Sequence, residues 1–399
     1  MRVCISLLFA AATAMAAPGV AEAQGWPDGP IVVELGGAGR LVLGGEASIV
    51  AGQRDDSGFF NYTDYEHNAL RLVRLALAAR WQPAKRFAVL GDFRSENFEA
   101  PEPYALYVRV RPVERVPLDI QAGRIPPVFG RFARDAYATS NPLIGYPLAY
   151  QYLTSLRADA IPGTPADLLR MRARGWLLSY PVGSLEQAPG LPVISAFRFD
   201  TGVQARYAPG RFDVAASVTT GTLSNPRVGD DNGGLQIAAR AGMEPVAGLI
   251  TGVSLSRGAW LSDSVVPAAD HRGYRQQAVG IDAEYSRDRW LVRGELIQST
   301  WRLPSIAPSL TALTGFAEGR VRLHPRIFIA GRVDRLDFSQ VTNGAVTQTW
   351  DAPITRIEGG GGWYFRRNLI GKLALQHNWR DGGRERERTF ASAQVLFWF

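Results

Sequence analysis

Apolar and polar positions alternate with period two in segment after segment of this chain, the signature of strands with one apolar and one polar face. In Tyr104–Arg111, Tyr104, Leu106, Val108 and Val110 fall on one face and Tyr107, Arg109 and Arg111 on the other. Phe212, Val214, Ala216 and Val218 oppose Asp213, Ala215, Ser217 and Thr219, and Val279, Ile281, Ala283 and Tyr285 oppose Gly280, Asp282 and Glu284. The closing stretch RTFASAQVLFWF sets Thr389, Ala391, Ala393, Val395, Phe397 and Phe399 against Ser392 and Gln394. The segments run to roughly ten residues, the length of a tilted membrane-crossing strand. Their polar faces are unusually charged, which a sandwich packed on a dry core would not explain.

The connections sort into two kinds. Tight turns fall at 82–86, 208–211, 244–247, 286–289, 324–326 and 366–368, and long polar or Gly/Pro-rich stretches at 54–69, 221–233, 258–274, 302–312, 339–353 and 380–388. This alternation predicts a barrel with short periplasmic turns and long extracellular loops. Upward strands are expected near 40–53, 87–97, 118–125, 211–220, 247–257, 289–300, 326–337 and 368–379. Downward strands are expected near 70–82, 102–112, 196–208, 234–243, 275–286, 313–324, 354–366 and 388–399. The fold class is thus all-β: a transmembrane antiparallel barrel of sixteen strands, with the third extracellular loop, 126–195, long enough to fold into the lumen. If 170–180 is instead a wall strand, the number rises to eighteen. Trp81, Tyr207, Trp290, Trp363, Phe365 and Trp398 cluster at the tight-turn ends, where an aromatic girdle would sit.

Composition narrows the setting. The chain has 399 residues, 46% hydrophobic and 20% charged, with a net charge of +7. Arg2, the apolar run Ile5–Ala17 and Ala21-Glu22-Ala23 read as a secretory leader over 1–23, leaving a barrel over 24–399. The one cysteine, Cys4, lies in that leader, so the mature chain would hold no disulfide and no thiolate metal site. No run of 18 or more apolar residues follows, so no membrane-spanning helix is expected, and an exported chain of this kind is periplasmic, secreted or an outer-membrane barrel.

On the leader, the strand scheme and the terminal Phe399, the chain resembles the bacterial outer-membrane porins. In that family the last strand is read by the barrel-assembly machinery, which the resemblance assigns here to Phe397 and Phe399. Asp119–Gly130 (DIQAGRIPPVFG) is similar to the strand-to-loop segment of phosphate-selective porins, whose following loop narrows the pore. Those proteins use channel lysines, whereas this chain has only Lys85 and Lys372, so general porin is the stronger match.

A sixteen-strand barrel leaves an aqueous channel unless something fills it. The expected filler is loop 126–195, with Phe129, Tyr137, Tyr146, Tyr150 and Tyr152. Arg170, Arg172 and Arg174 alternate, so an extended backbone would align them on one face, and arginine rings favour anions. Together with Arg131, Arg134, Arg109 and Arg111 they form the expected constriction. The alternative is that these arginines pair with nearby acids and only hold the loop to the wall. The wall's own charges nearly balance.

The function expected is passive diffusion of small hydrophilic solutes, anionic or neutral, with modest anion preference. The partners are outer-membrane lipid and lipopolysaccharide, the assembly machinery, and a second and third copy if Gly44, Gly45, Ala47 and Ala51 make a trimer face. A non-conducting structural or adhesive barrel, or a barrel enzyme, is the alternative. Arginines scattered over strand faces beside acids argue against nucleic acid. No cofactor or metal is expected: His67, His271, His324 and His377 stand singly, and 229–234 has an incomplete calcium-loop pattern better read as a turn. Gly359–Gly362 lacks the Lys of a phosphate loop. His271 beside Asp270, with Ser262 or Ser264, carries no nucleophile motif.

Overall fold

The structure, a computed structural model, describes residues 29–63, 67–196, 199–267, 270 and 273–399. The leader expected at 1–23 lies outside the described residues, as do Arg198 and His271. Sixteen strands form the wall. They are β1 Arg40–Gly52, β2 Val73–Ala84, β3 Phe87–Glu96, β4 Glu102–Val110, β5 Leu118–Ile125, β6 Asp200–Tyr207, β7 Phe212–Thr219 and β8 Gln236–Val246. They continue as β9 Leu249–Ala259, β10 Arg275–Arg287, β11 Trp290–Trp301, β12 Leu310–His324, β13 Ile327–Phe338, β14 Ile354–Arg366, β15 Leu369–Arg380 and β16 Glu387–Trp398.

Each strand pairs antiparallel with its sequence neighbours. The sheet closes where β1 pairs with β2, from Arg40↔Gln82 to Ile49↔Val73, and with β16, from Glu46↔Trp398 to Gly52↔Ser392. Closure removes the edge that unpaired backbone groups would otherwise present. Past Trp398, the Phe399 N–H donates to Gly45 O at 3.0 Å and its carbonyl accepts from Gly45 N–H at 3.1 Å. The short strand Ile31–Glu34 then pairs with Arg40–Leu43, continuing the ladder beside β1 beyond the last residue of β16.

Residues 170–180 are not a wall strand, which settles the number at sixteen. Pro165–Arg170 is a helix, started by a capping box between Thr164 and Asp167 with proline in the first turn. The two-residue strands Ala160–Ile161 and Val182–Gly183 pair with each other inside the loop. Gly359–Gly362 sits within β14, fully paired on both sides.

Outward positions are apolar and bare: Ile49, Ile237, Val253, Ile281, Val333, Leu373 and Val395 are each more than half exposed. A soluble monomer rarely carries so continuous an apolar surface, and lipid is the solvent that suits it. Trp81, Tyr207, Trp290, Trp363 and Phe365 stand exposed at the short-turn end, as a girdle requires.

Two side chains face the other way from the sequence expectation. Trp398 points inward, edge-on to Tyr364 with ring centroids 6.4 Å apart, because it follows the even-numbered register of Ser392, Gln394 and Leu396. Tyr104 leaves the Leu106 face. The register steps from Asp92↔Ala105 to Phe93↔Pro103, a bulge at Tyr104 that leaves its ring buried 4.0 Å from the Arg94 guanidinium carbon. Gly44 likewise shares the inward parity of Glu46 and Ser48, so only Gly45, Ala47 and Ala51 of the small-residue set lie outside, and Phe399 covers Gly45.

Gly123, paired within β5 with Tyr107 on one side and Gly202 on the other, has φ +129°. A Cβ there would stand 2.4 Å from Leu106 O and 2.9 Å from Tyr107 Cα. Gly123→Ala is expected to destabilise the barrel by about 1–3 kcal/mol, since neither backbone can give way without breaking the ladder. The check is the urea midpoint of the heat-modifiable band in detergent; an unchanged midpoint would show that the position tolerates a side chain.

Candidate functional site

The site is the lumen, and residues 126–196 pass through it. The loop is held there by side chains from around the wall. Glu295 on β11 accepts the backbone N–H groups of Arg131 and Phe132, both at 2.7 Å, and the Tyr150 hydroxyl. Glu46 on β1 accepts from Thr139 N–H at 3.1 Å. Glu358 on β14 accepts from Gly145 N–H at 2.8 Å, and Asp334 on β13 from Leu148 N–H at 3.3 Å. Cations serve the carbonyls: Lys372 on β15 donates to Ala138 O and Asn141 O at 2.7 and 2.6 Å, and Arg356 to Tyr146 O at 3.0 Å. Buried backbone groups need partners, and charged partners make the stronger bonds.

The loop's tyrosines do the same from the other side. Tyr137 donates to Asp92 at 2.7 Å, and Tyr146 accepts from Arg74 at 2.8 Å. Phe132 stacks on Tyr150 with centroids 4.8 Å apart and meets Phe316 of β12 edge-on at 5.8 Å. Fully buried Arg332 is shared by three wall acids, Glu318 at 3.1 Å, Asp334 at 3.1 Å and Glu358 at 2.7 Å.

Burial reaches every strand of the wall. Every strand carries a buried inward residue: in chain order Ser48, Arg74, Arg94, Tyr104, Ile125, Gln204, Ser217, Arg240, Ser254, Ala278, Glu295, Thr314, Arg332, Glu358, Lys372 and Gln394. No wall strand is therefore wetted along its full length, and loop residues 141–158 are themselves buried throughout.

The expected constriction is divided among three places. Arg131 is tied to Glu284 by two hydrogen bonds of 3.1 and 2.9 Å. The side chain of Arg134 lies outside the described residues. Arg109 and Arg111 belong to the short-turn end, where Arg111 forks onto Asp119 at 3.0 and 3.1 Å and Arg206 pairs with Asp213. Among the described residues Arg109 has no ion pair or hydrogen bond.

Arg170, Arg172 and Arg174 lie at the long-loop mouth. They do not form an extended row, because the helix ends at Arg170 and the chain turns through Ala173 at φ +60°. Arg170 approaches Asp167 at 3.4 Å, Arg172 donates to Thr349 O at 3.0 Å, and Arg174 projects into solvent. All three border a cavity of about 600 Å³, with Arg380 at the end of β15, Arg384 just after it, and Asp56, Phe59 and Trp176 beside them. Sequence reasoning missed these partners. Phe59 and Arg384 lie in separate loops, and only barrel closure makes those loops neighbours.

Among the described residues no group of three or more His, Cys, Asp or Glu side chains could hold a metal. In 229–234, Asp230 accepts from Asn232 and Gly233 N–H, the bonding of a turn.

These features define a class by fold: a sixteen-strand porin-type barrel with an inserted third loop. No protein-family model matches the chain, and no curated protein matches its sequence. Solved structures do. The trimer form of OmpT, an outer membrane protein of Vibrio cholerae, matches at 8% identity over 90% of this chain and 99% of that one, with TM-score 0.53. Salmonella typhi OmpF in complex with daunomycin matches at 11% identity over 92% and 100%, TM-score 0.55. The anion-selective porin from Comamonas acidovorans matches at 10% over 90% and 99%, TM-score 0.52. At these identities the likeness is one of fold.

Two outcomes follow from the loop's anchoring. Glu358→Ala orphans the Gly145 N–H and one arm of Arg332. It is expected to cost about 3 kcal/mol, with trypsin cutting within 126–199 faster than in the parent protein; equal cutting would show that the anchor is dispensable. Asp55, in the first long loop, is fully buried, and burial raises its carboxyl from 3.8 to about 7 although Asn61 N–H donates to it at 2.9 Å. Between those values the folded protein keeps a proton that the unfolded chain releases. Its contribution is thus full below pH 3.8 and lost as pH rises through about 7. Asp55→Asn should flatten the fall in thermal midpoint between about pH 5 and 8; a parent midpoint that rises over this range would contradict the assignment.

Proposed function

We propose that this chain is an outer-membrane diffusion channel of porin type, passing small hydrophilic solutes with modest anion preference past an inserted loop. The observation that carries the reading is the closed barrel itself, bare and apolar outside and charged inside. Anion preference rests on pairing: the inward acids Asp119, Asp213, Glu284, Asp282 and Glu318 are matched by arginines, while Arg109, Arg174 and Arg384 are unpaired among the described residues. In this reading residues 1–23 are the export leader and Phe397 and Phe399 the assembly signal. Ala47 and Ala51 offer a small-residue face for a homotrimer like the trimer form of the Vibrio protein.

A second reading, a non-conducting barrel, has its own support in the buried inward residues of all sixteen strands. Planar bilayers separate the two. The channel reading expects discrete, small single-channel steps and, under a salt gradient, a reversal potential on the anion side. Cation selectivity would remove the anion preference, and silent membranes with correctly folded protein would favour the closed barrel.

A further inference from the structure

The mouth cavity leaves two of its five cations, Arg174 and Arg384, unspent among the described residues. At about 600 Å³ it is the size of a small-molecule site. Five guanidinium groups border it against one carboxylate, Asp56. Arg380 is fixed, donating to Gly58 O at 2.9 Å, Gly382 O at 3.2 Å and Glu385 O at 3.0 Å; Arg172 is fixed on Thr349 and Asp381, and Arg170 pairs with Asp167. Arg174 and Arg384 are exposed and without a hydrogen bond or ion pair among the described residues. Arg380, held on carbonyls with no acid partner, thus supplies a standing positive field, and the two free planar forks supply donors.

One wall is aromatic. Phe59 and Trp176 stack with centroids 5.4 Å apart and 14° between planes, and Tyr62 braces both, 5.1 Å from Phe59 and 4.4 Å from Trp176. Both rings remain half-buried where they meet the cavity. Two non-glycine residues of this same wall, Phe59 at φ +51° and Ala173 at φ +60°, hold left-handed backbone. Such strain persists where the surroundings over-determine a conformation, and it gathers at ligand sites.

An inorganic anion would use the arginines and leave the rings wet; a neutral sugar would leave the guanidinium groups unanswered. We propose that this cavity binds a small aromatic carboxylate, its carboxylate on Arg174 and Arg384 and its ring against Phe59 and Trp176. The proposal rests on reading the mouth arginines as facing anions, and it deepens the channel reading by naming the solute class met first at that end.

The test is calorimetry with benzoate, acetate and inorganic phosphate on the full chain in detergent, each sample first shown to be folded by heat-modifiable migration. Benzoate should bind saturably and at least about tenfold tighter than acetate or phosphate, an aromatic contact being worth up to roughly tenfold. Arg174→Gln with Arg384→Gln should weaken benzoate about tenfold or more, and Trp176→Leu about threefold to tenfold, drawing it toward acetate. Arg174→Gln alone touches no packed side chain and serves if the double variant misfolds. Unsaturable heats, phosphate binding as tightly as benzoate, or unchanged affinity in the arginine variants would overturn the site. Calorimetry needs no conduction: binding with silent bilayers would sink the channel and keep the site, and conduction without binding would do the reverse.

Discussion

The whole structure depends on one backbone ladder that must meet itself. In hydrocarbon an unpaired N–H or C=O has no water to turn to, so a sheet can cross only if its first and last strands pair. Here β1 takes β2 on one side and β16 on the other, and the Gly45–Phe399 exchange carries the seam past the last residue of β16. Once the ring is closed, a period-two chain has no freedom left. Every odd or even set faces lipid, the other set faces the lumen, and the loops of distant sequence are brought side by side at the mouth.

Inside, the same accounting applies to a different backbone. The long loop enters the lumen with N–H and C=O groups that no sheet satisfies, and wall charges satisfy them. Glu295, Glu358 and Glu46 accept, while Lys372 and Arg356 donate. A buried carboxylate costs several kcal/mol of lost hydration unless it is paired, so these acids and the loop backbone stabilise each other. The charge balance of the wall therefore says little about selectivity, since most of that charge is spent on holding the loop.

This division explains what could be read from the sequence. Alternation and turn chemistry are local, and they placed all sixteen strands and the loop's departure after β5. The bulge at Tyr104 was hidden because one extra residue flips a face without disturbing the composition around it. Trp398 was hidden because an aromatic at a strand end suits either the girdle or the lumen, and only register chooses. The Arg170–Arg174 row failed on a local signal that was present: Thr164, Pro165 and Asp167 spell a helix start, which turns a two-residue spacing from one face into a spread around an axis. The cavity's other walls, from residues near 56–62 and 380–384, had no local signal at all.

The two halves of the loop are also held differently, and that bears on any route through the barrel. Residues 129–158 are pinned from most of the circumference, and freeing them would strand several buried charges at once. Residues 160–190 meet the long loops, where Arg170 and Arg174 are exposed while Arg157 holds Leu178 O, Asp351 accepts from Ala173 N–H and Arg172 pairs with Asp381. The mouth cavity of Arg174, Arg384 and Trp176 is thus built on the half of the loop held by groups of the loop itself and of the long loops, rather than by the strands of the wall.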